Sequence, residues 1–252
     1  MGRIIFSTTG PVATIALDNP KKHNAVDAQM RDELTAAYQR VEEDYALRVA
    51  IIRGAENGSF CAGGSIDAYL DGKVVGPGAA HLPRIPRPYP SKKPYIAAIC
   101  GYALGGGFAL ALACDLRVAG KGAKMGPTGL KLGAVQGAQT ISRLTRLVGA
   151  SRALEVLLLS QRLTGEKAAE LGIVNKVTED ADVMDAARAW AQTLAEFSPW
   201  TLSMTKKLVY EAQHLPLQDA IDWEDKVATE AYQRPEALEG FQAFKQGRKP
   251  SF

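Results

Sequence analysis

The sequence predicts an α/β fold followed by a wholly helical C-terminal region, and three observations carry that prediction. Two continuous apolar runs of strand length, Val49-Ala50-Ile51-Ile52 and Tyr95-Ile96-Ala97-Ala98-Ile99, have the character of strands covered on both faces. Helical patterns separate the strand patterns, the order expected of βαβ units. Beyond about Asp180 only helical spacing remains.

Ile4-Ile5-Phe6 and Val12-Ala13-Thr14-Ile15-Ala16-Leu17 alternate around Thr9-Gly10-Pro11 and predict an opening hairpin. A helix follows from Asp27, a good N-cap, with Met30, Leu34, Ala37, Tyr38 and Val41 on one face. Two later segments read as strand, glycine turn, helix: Gly58 to Ile66 and Gly101 to Leu110. Between Leu70 and Lys93 lie Pro77, Pro83, Pro86, Pro88 and Pro90, a long loop of the kind that carries function or moves. Ala109 to Ala113 and Ala153 to Leu159 are too short to span a bilayer and read as buried helices. Ser198-Pro199 marks a helix start, and Pro216 and Pro235 punctuate further helices.

A chain of 252 residues with 46% hydrophobic and 23% charged content fits one large domain, or a domain with a helical appendage, with a sizeable core. Its net charge of +3 is not gathered into a basic run, which argues against a nucleic-acid partner. The start lacks the apolar core of a signal peptide, and Phe6 occupies the place where a myristoylation motif needs Ser or Thr. The expectation is a soluble protein with no membrane partner. Cys61, Cys100 and Cys114 form no CxxC pair and leave an odd count, so neither zinc nor a disulfide framework is indicated, and a reducing cytoplasm is expected. Buried structural thiols are the favoured reading of all three.

The chemistry is concentrated in the two glycine turns. Gly58-Ser59-Phe60-Cys61-Ala62-Gly63-Gly64-Ser65-Ile66 and Gly101-Tyr102-Ala103-Leu104-Gly105-Gly106-Gly107-Phe108 each lead a strand into a helix start, where N–H groups lack intrahelical partners. One N–H from each, aimed at a single oxygen, would form an oxyanion hole. Either turn alone fits tight packing of helix on sheet equally well, and Gly105-Gly106-Gly107 matches neither phosphate-binding spacing.

Taken in order with Asn19-Pro20 to Asn24-Ala25, Lys93-Pro94, Cys114-Asp115, Ser142-Arg143-Leu144 to Gly149, Leu163 to Ala168, Leu171 to Asn175 and the ending Phe244 to Phe252, these turns resemble the crotonase (enoyl-CoA hydratase/isomerase) superfamily over nearly the whole chain. The resemblance implies a ββα spiral core over residues 1–195, a helical trimerisation region over 196–252, and a homotrimer or dimer of trimers. It implies a CoA thioester as substrate and no tightly bound cofactor. Gly64 and Gly106 would donate the oxyanion-hole N–H groups. His23, Asn24, Ala25, Ala62, Ser65, Ile66 and Leu104 would line the CoA groove. Phe244 and a following basic residue would reach the nucleotide; because Gly247 stands where many relatives carry Lys, Lys245 or Arg248 must substitute.

The chain departs from the hydratase pattern at the two carboxylates that flank the double bond. Their places hold Ala109 and Gly129, and an alternative isomerase position holds Gly137. Thr128-Gly129-Leu130-Lys131-Leu132-Gly133 resembles the matching segment of dihydroxynaphthoyl-CoA synthases and ring-opening hydrolases, some of which hold bicarbonate instead of the carboxylate, although Gln136 replaces their Asp. Thr128, Gly129 and Gln136 are therefore expected in the substrate pocket, with bicarbonate an additional candidate ligand. Asp67, Tyr69, Asp71, His81 and Tyr89 are the available proton-transfer stock, and His81 has the most suitable intrinsic pKa. Asp67 also reads as helix surface, Asp71 as a turn, Tyr89 as a packing ring, His214 as surface, Asp115 as structural and Ser65 as a helix cap. Enolate chemistry on an acyl-CoA, carbon–carbon bond chemistry through the same enolate, and non-catalytic acyl-CoA binding are the three functions that follow.

Overall fold

The structure is a computed structural model that describes residues 2–55, 58–71 and 84–252. β1 (Arg3–Thr9) and β2 (Val12–Asp18) form the predicted hairpin, paired from Arg3 against Asp18 to Thr9 against Val12. The Asp27 carboxylate accepts from the Met30 N–H at 3.0 Å and opens α1 (Ala28–Glu43), which buries Met30, Leu34, Ala37, Tyr38 and Val41.

Three units of strand, extended segment and helix follow. β3 (Val49–Gly54) leads through residues 60–64 into α2 (Ile66–Asp71). Next, β4 (Tyr95–Ile99) turns into β5 (Tyr102–Leu104) and α3 (Gly106–Ala113). Finally, β6 (Leu116–Gly120) turns into β7 (Lys124–Gly126) and α4 (Thr140–Leu158). The units stack because each second segment hydrogen-bonds to the next. Phe60 N–H donates to Cys100 O, Cys61 N–H to Tyr102 O and Lys124 N–H to Gly101 O, all at 2.8 Å. This is the ββα spiral expected from the resemblance.

β8 (Leu163–Thr164), α5 (Gly165–Glu170) and β9 (Lys176–Thr178) complete two sheets. The larger runs β1-β2-β3-β4-β6-β9 and is parallel from β2 onward; the smaller runs β5-β7-β8. Strand alternation divides the core. Ala50, Ile52, Tyr95, Ala97 and Ile99 face the cluster containing α1 and α3, whereas Val49, Ile51, Ile96 and Ala98 face α6 (Val183–Ala195) through Val183, Ala187 and Ala191. Both apolar runs are thus covered on two faces, and each buried Ile contributes about 1.5–3 kcal/mol.

Ser198 caps α7 (Pro199–Ala212), and α8 (Leu217–Gln233) and α9 (Pro235–Gln246) start at the predicted prolines. Asp115 does more than separate helix from strand. It accepts from the Tyr95 N–H at 2.7 Å, Lys206 Nζ at 2.8 Å and Tyr210 Oη at 2.9 Å, tying α7 to the core. One expectation is corrected: the stretch from Ala153 to Leu159 lies at the end of α4, but Ala153 and Val156 are buried and Leu157 is partly buried against the core, while Leu154, Leu158 and Leu159 are exposed. A helix packed on one side buries only every third or fourth residue, so unbroken apolarity there does not mean full burial. Among the described residues no helix is long and apolar enough to cross a membrane.

Candidate active site

Backbone stacked on backbone brings the two glycine turns together. A Cβ on Gly107 would overlap the carbonyl oxygen of Cys61, so only glycine lets α3 start this close to the preceding unit. Gly101, at φ +54°, presses against the Gly58 carbonyl in the same way. At the junction, a Cβ on Gly63 would stand 3.4 Å from the Gly106 nitrogen and one on Gly106 would stand 3.6 Å from the Gly63 Cα. The turns abut.

Most N–H groups around this junction are occupied. Gly105 N–H donates to Gly126 O at 3.0 Å, Ser65 N–H to Val26 O at 2.9 Å, and Gly63 N–H to Cys61 Sγ at 3.4 Å. Among the described residues nothing accepts from the N–H of Gly64 or of Gly106. Gly106 is the first residue of α3, where the helix dipole adds positive potential. Two unspent backbone donors beside a helix start suit an oxygen that gains negative charge.

Side chains enclose this junction. The Tyr69 hydroxyl lies against Gly64, in the space a Cβ there would need; it is half-buried, and burial raises its pKa, so the phenol keeps its proton near neutrality. The Ile85 methyl would be 2.7 Å from a Cβ on Gly106, and the Thr128 hydroxyl 2.6 Å from one on Gly105. Gln136 is buried and its Oε1 accepts from the Thr128 and Gly129 N–H groups, both at 3.0 Å. Thr128, Gly129 and Gln136 therefore form one unit beside the second turn. The contact of Ile85 was missed from sequence, since nothing in a proline-rich stretch tells which side chain turns inward.

The remaining sequence-derived residues are scattered in role. His23, at φ +49°, accepts at its carbonyl from the Ala62 N–H at 3.0 Å, and its ring meets Tyr102 edge-on at 5.1 Å. Asn24 is 1% exposed, and its amide links the Asn19 N–H at 2.8 Å to the Ser59 carbonyl at 2.6 Å. Ala25 is buried and its carbonyl accepts from Asn19 Nδ2 at 2.8 Å. Ser65 is buried at the start of α2, where its carbonyl accepts from the Tyr69 N–H, while Ile66 is exposed and Leu104 buried. Asp67 is on the helix surface, paired with Lys22 at 2.6 Å, and Asp71 is the last residue of α2. Tyr89 packs against Tyr210 with ring centroids 5.9 Å apart, and His214 is exposed. Phe244 is 88% exposed on α9 with Lys245 beside it, whereas Arg248 is held by Glu239 at 2.6 and 2.8 Å. His81 lies outside the described residues. Burial pushes the Cys61 and Cys114 thiols up to about 12, so neither is an activated nucleophile.

With this geometry in place, comparison with known proteins places the chain. A family model described as enoyl-CoA hydratase/isomerase matches residues 7–252. A probable enoyl-CoA hydratase of Bacillus subtilis is 36% identical, covering 100% of this chain and 99% of the relative. The (E)-benzylidenesuccinyl-CoA hydratase of Thauera aromatica is 31% identical, covering 99% and 98%. The solved structure of a probable enoyl-CoA hydratase/isomerase from Mycobacterium abscessus superposes with a TM-score of 0.91 at 29% identity, covering 100% and 99%. The chain belongs to the enoyl-CoA hydratase/isomerase family.

Proposed function

We propose that this protein acts on an acyl-CoA thioester through an enolate whose oxygen is held by the N–H groups of Gly64 and Gly106. The observation that carries this reading is the pair of unspent donors on two abutting turns. As charge leaves the α-carbon it collects on the thioester oxygen, and donors already in place stabilise that charge without reorganising. Ala109 and Gly129 carry no carboxyl, so alkene hydration by two acidic side chains has no support here. The Tyr69 phenol, neutral and against Gly64, is the proton carrier we assign to the site. Bicarbonate at Gly129 would have to displace the Gln136 amide from two N–H groups. Exposed Phe244 and Lys245 suit a contact with the nucleotide of a neighbouring subunit, in a trimer or a dimer of trimers.

Gly106→Pro tests the donor. Proline is compatible with the first position of a helix, so the change removes the N–H while α3 can still form. A cinnamoyl-CoA chromophore should shift to longer wavelength when bound to the native protein and lose that shift in the variant. Turnover should fall about 100-fold or more. A folded variant with full activity defeats the assignment. Tight CoA binding with no turnover over a broad thioester panel would instead favour a binder.

A further inference from the structure

Two arginines in this protein are paired very differently. Arg117 is 4% exposed, and its guanidinium is satisfied by the carbonyls of Ile173 at 2.6 Å and Cys114 at 2.5 Å. Arg87 is half-buried, yet its Nε and Nη1 are shielded from water and have no acceptor among the described residues. Guanidinium N–H donors shielded from water without an acceptor cost free energy, which an anionic group on a ligand would offset.

The surroundings sharpen that reading. Among the described residues, Arg84 and Arg143, both of like sign, are the charges that act on Arg87. Asp115, the carboxylate at the far end of α3, is already taken by Tyr95, Lys206 and Tyr210. Neighbours of Arg87 in the chain have known contacts near the two ends of α3. Ile85 touches Gly106 at the start of α3, and Tyr89 lies one ring, that of Tyr210, from Asp115 just past its end. Arg87 lies between them in sequence, and α3 carries Ala109 where a hydratase carboxylate would be.

We infer that Arg87, with Arg84 and Arg143 around it, binds a carboxylate carried on the acyl group of the substrate, so that the thioesters taken are those of dicarboxylic or otherwise anionic acids. The inference rests on the acyl-CoA reading above and names its substrate class. Guanidinium and carboxylate make charge-assisted hydrogen bonds, and a neutral acyl chain would leave the arginine unpaired. The CoA phosphates are a second source of anionic oxygen, and the test separates them.

Calorimetric titration would compare succinyl-, glutaryl- and adipyl-CoA with butyryl-, valeryl- and hexanoyl-CoA, and with CoA alone, on the native protein and on Arg87→Met. In the native protein at least one anionic thioester should bind about tenfold or more tightly than its neutral counterpart. Arg87→Met should abolish that preference, leave the neutral thioesters and CoA unchanged, and melt no lower than the native protein. Equal affinity within every pair overturns the proposal, as does an equal loss for all ligands including CoA, which would make Arg87 a phosphate contact. A native protein that binds neither CoA nor any thioester defeats the acyl-CoA reading itself.

Discussion

The turn at Gly106 and the turn at Gly64 offer the same kind of donor but are built differently. The first is clamped by main chain: Gly107 lies on the Cys61 carbonyl, Gly101 on the Gly58 carbonyl, and the Gly105 N–H is spent on Gly126. The second faces a side chain, the Tyr69 hydroxyl, with exposed Ile66 and Leu70 close by in sequence. A donor fixed by stacked backbone keeps its direction, whereas a side chain beside the other can move. On the proposed function, rigid positioning would fall to the first turn and substrate choice to the second.

Substitution by alanine exposes that division. Gly107→Ala forces a Cβ into a carbonyl that cannot swing away and should cost about 3 kcal/mol, a fall in melting temperature of roughly 10 °C. Gly64→Ala meets only the end of a flexible side chain and should cost less than about 1 kcal/mol by the same thermal measurement. Equal losses would erase the distinction. Tyr69→Phe, which deletes only the hydroxyl, should change stability by less than about 0.5 kcal/mol while lowering turnover. Unchanged turnover would remove Tyr69 from the site.

Thiol labelling sharpens the contrast between stacked core and surface. At pH 8, mass spectrometry after alkylation should find Cys100 modified slowly and Cys61 and Cys114 intact until the protein unfolds. The linkage follows from the same shift. Burial raises the Cys61 and Cys114 thiols from 9.0 to about 12, so the native state holds these protons more firmly than the unfolded chain. Their contribution is complete below pH 9 and is lost as pH rises toward about 12. Chemical denaturation midpoints should fall across that window. The smallest effect belongs to the C-terminal tail, where the Arg248 guanidinium and the Ser251 N–H hold the Glu239 carboxyl down at about 2. That pairing is complete above the ordinary 4.5 and is lost as pH falls through about 2, and NMR should show the last residues loosening there first.

The apolar period of α1, the unbroken strands β3 and β4, the hairpin and the proline-marked helices were all legible in the residues, because each depends on local spacing. The order of the glycine turns was legible too, and with it the family. Other facts depended on contacts between residues far apart in the chain. Local spacing could not say that Asn24 would be spent inside the fold, that Leu158 would face outward, or that Gln136 would close over Gly129. Nor could it separate Arg87 from Arg117: both are arginines in sequence, and only the packing around them gives one its carbonyls and leaves Nε and Nη1 of the other without an acceptor among the described residues. Sequence set the segments and their order through short-range preference, whereas the tertiary structure decided which polar groups were consumed, because burial and pairing are properties of the assembled neighbourhood.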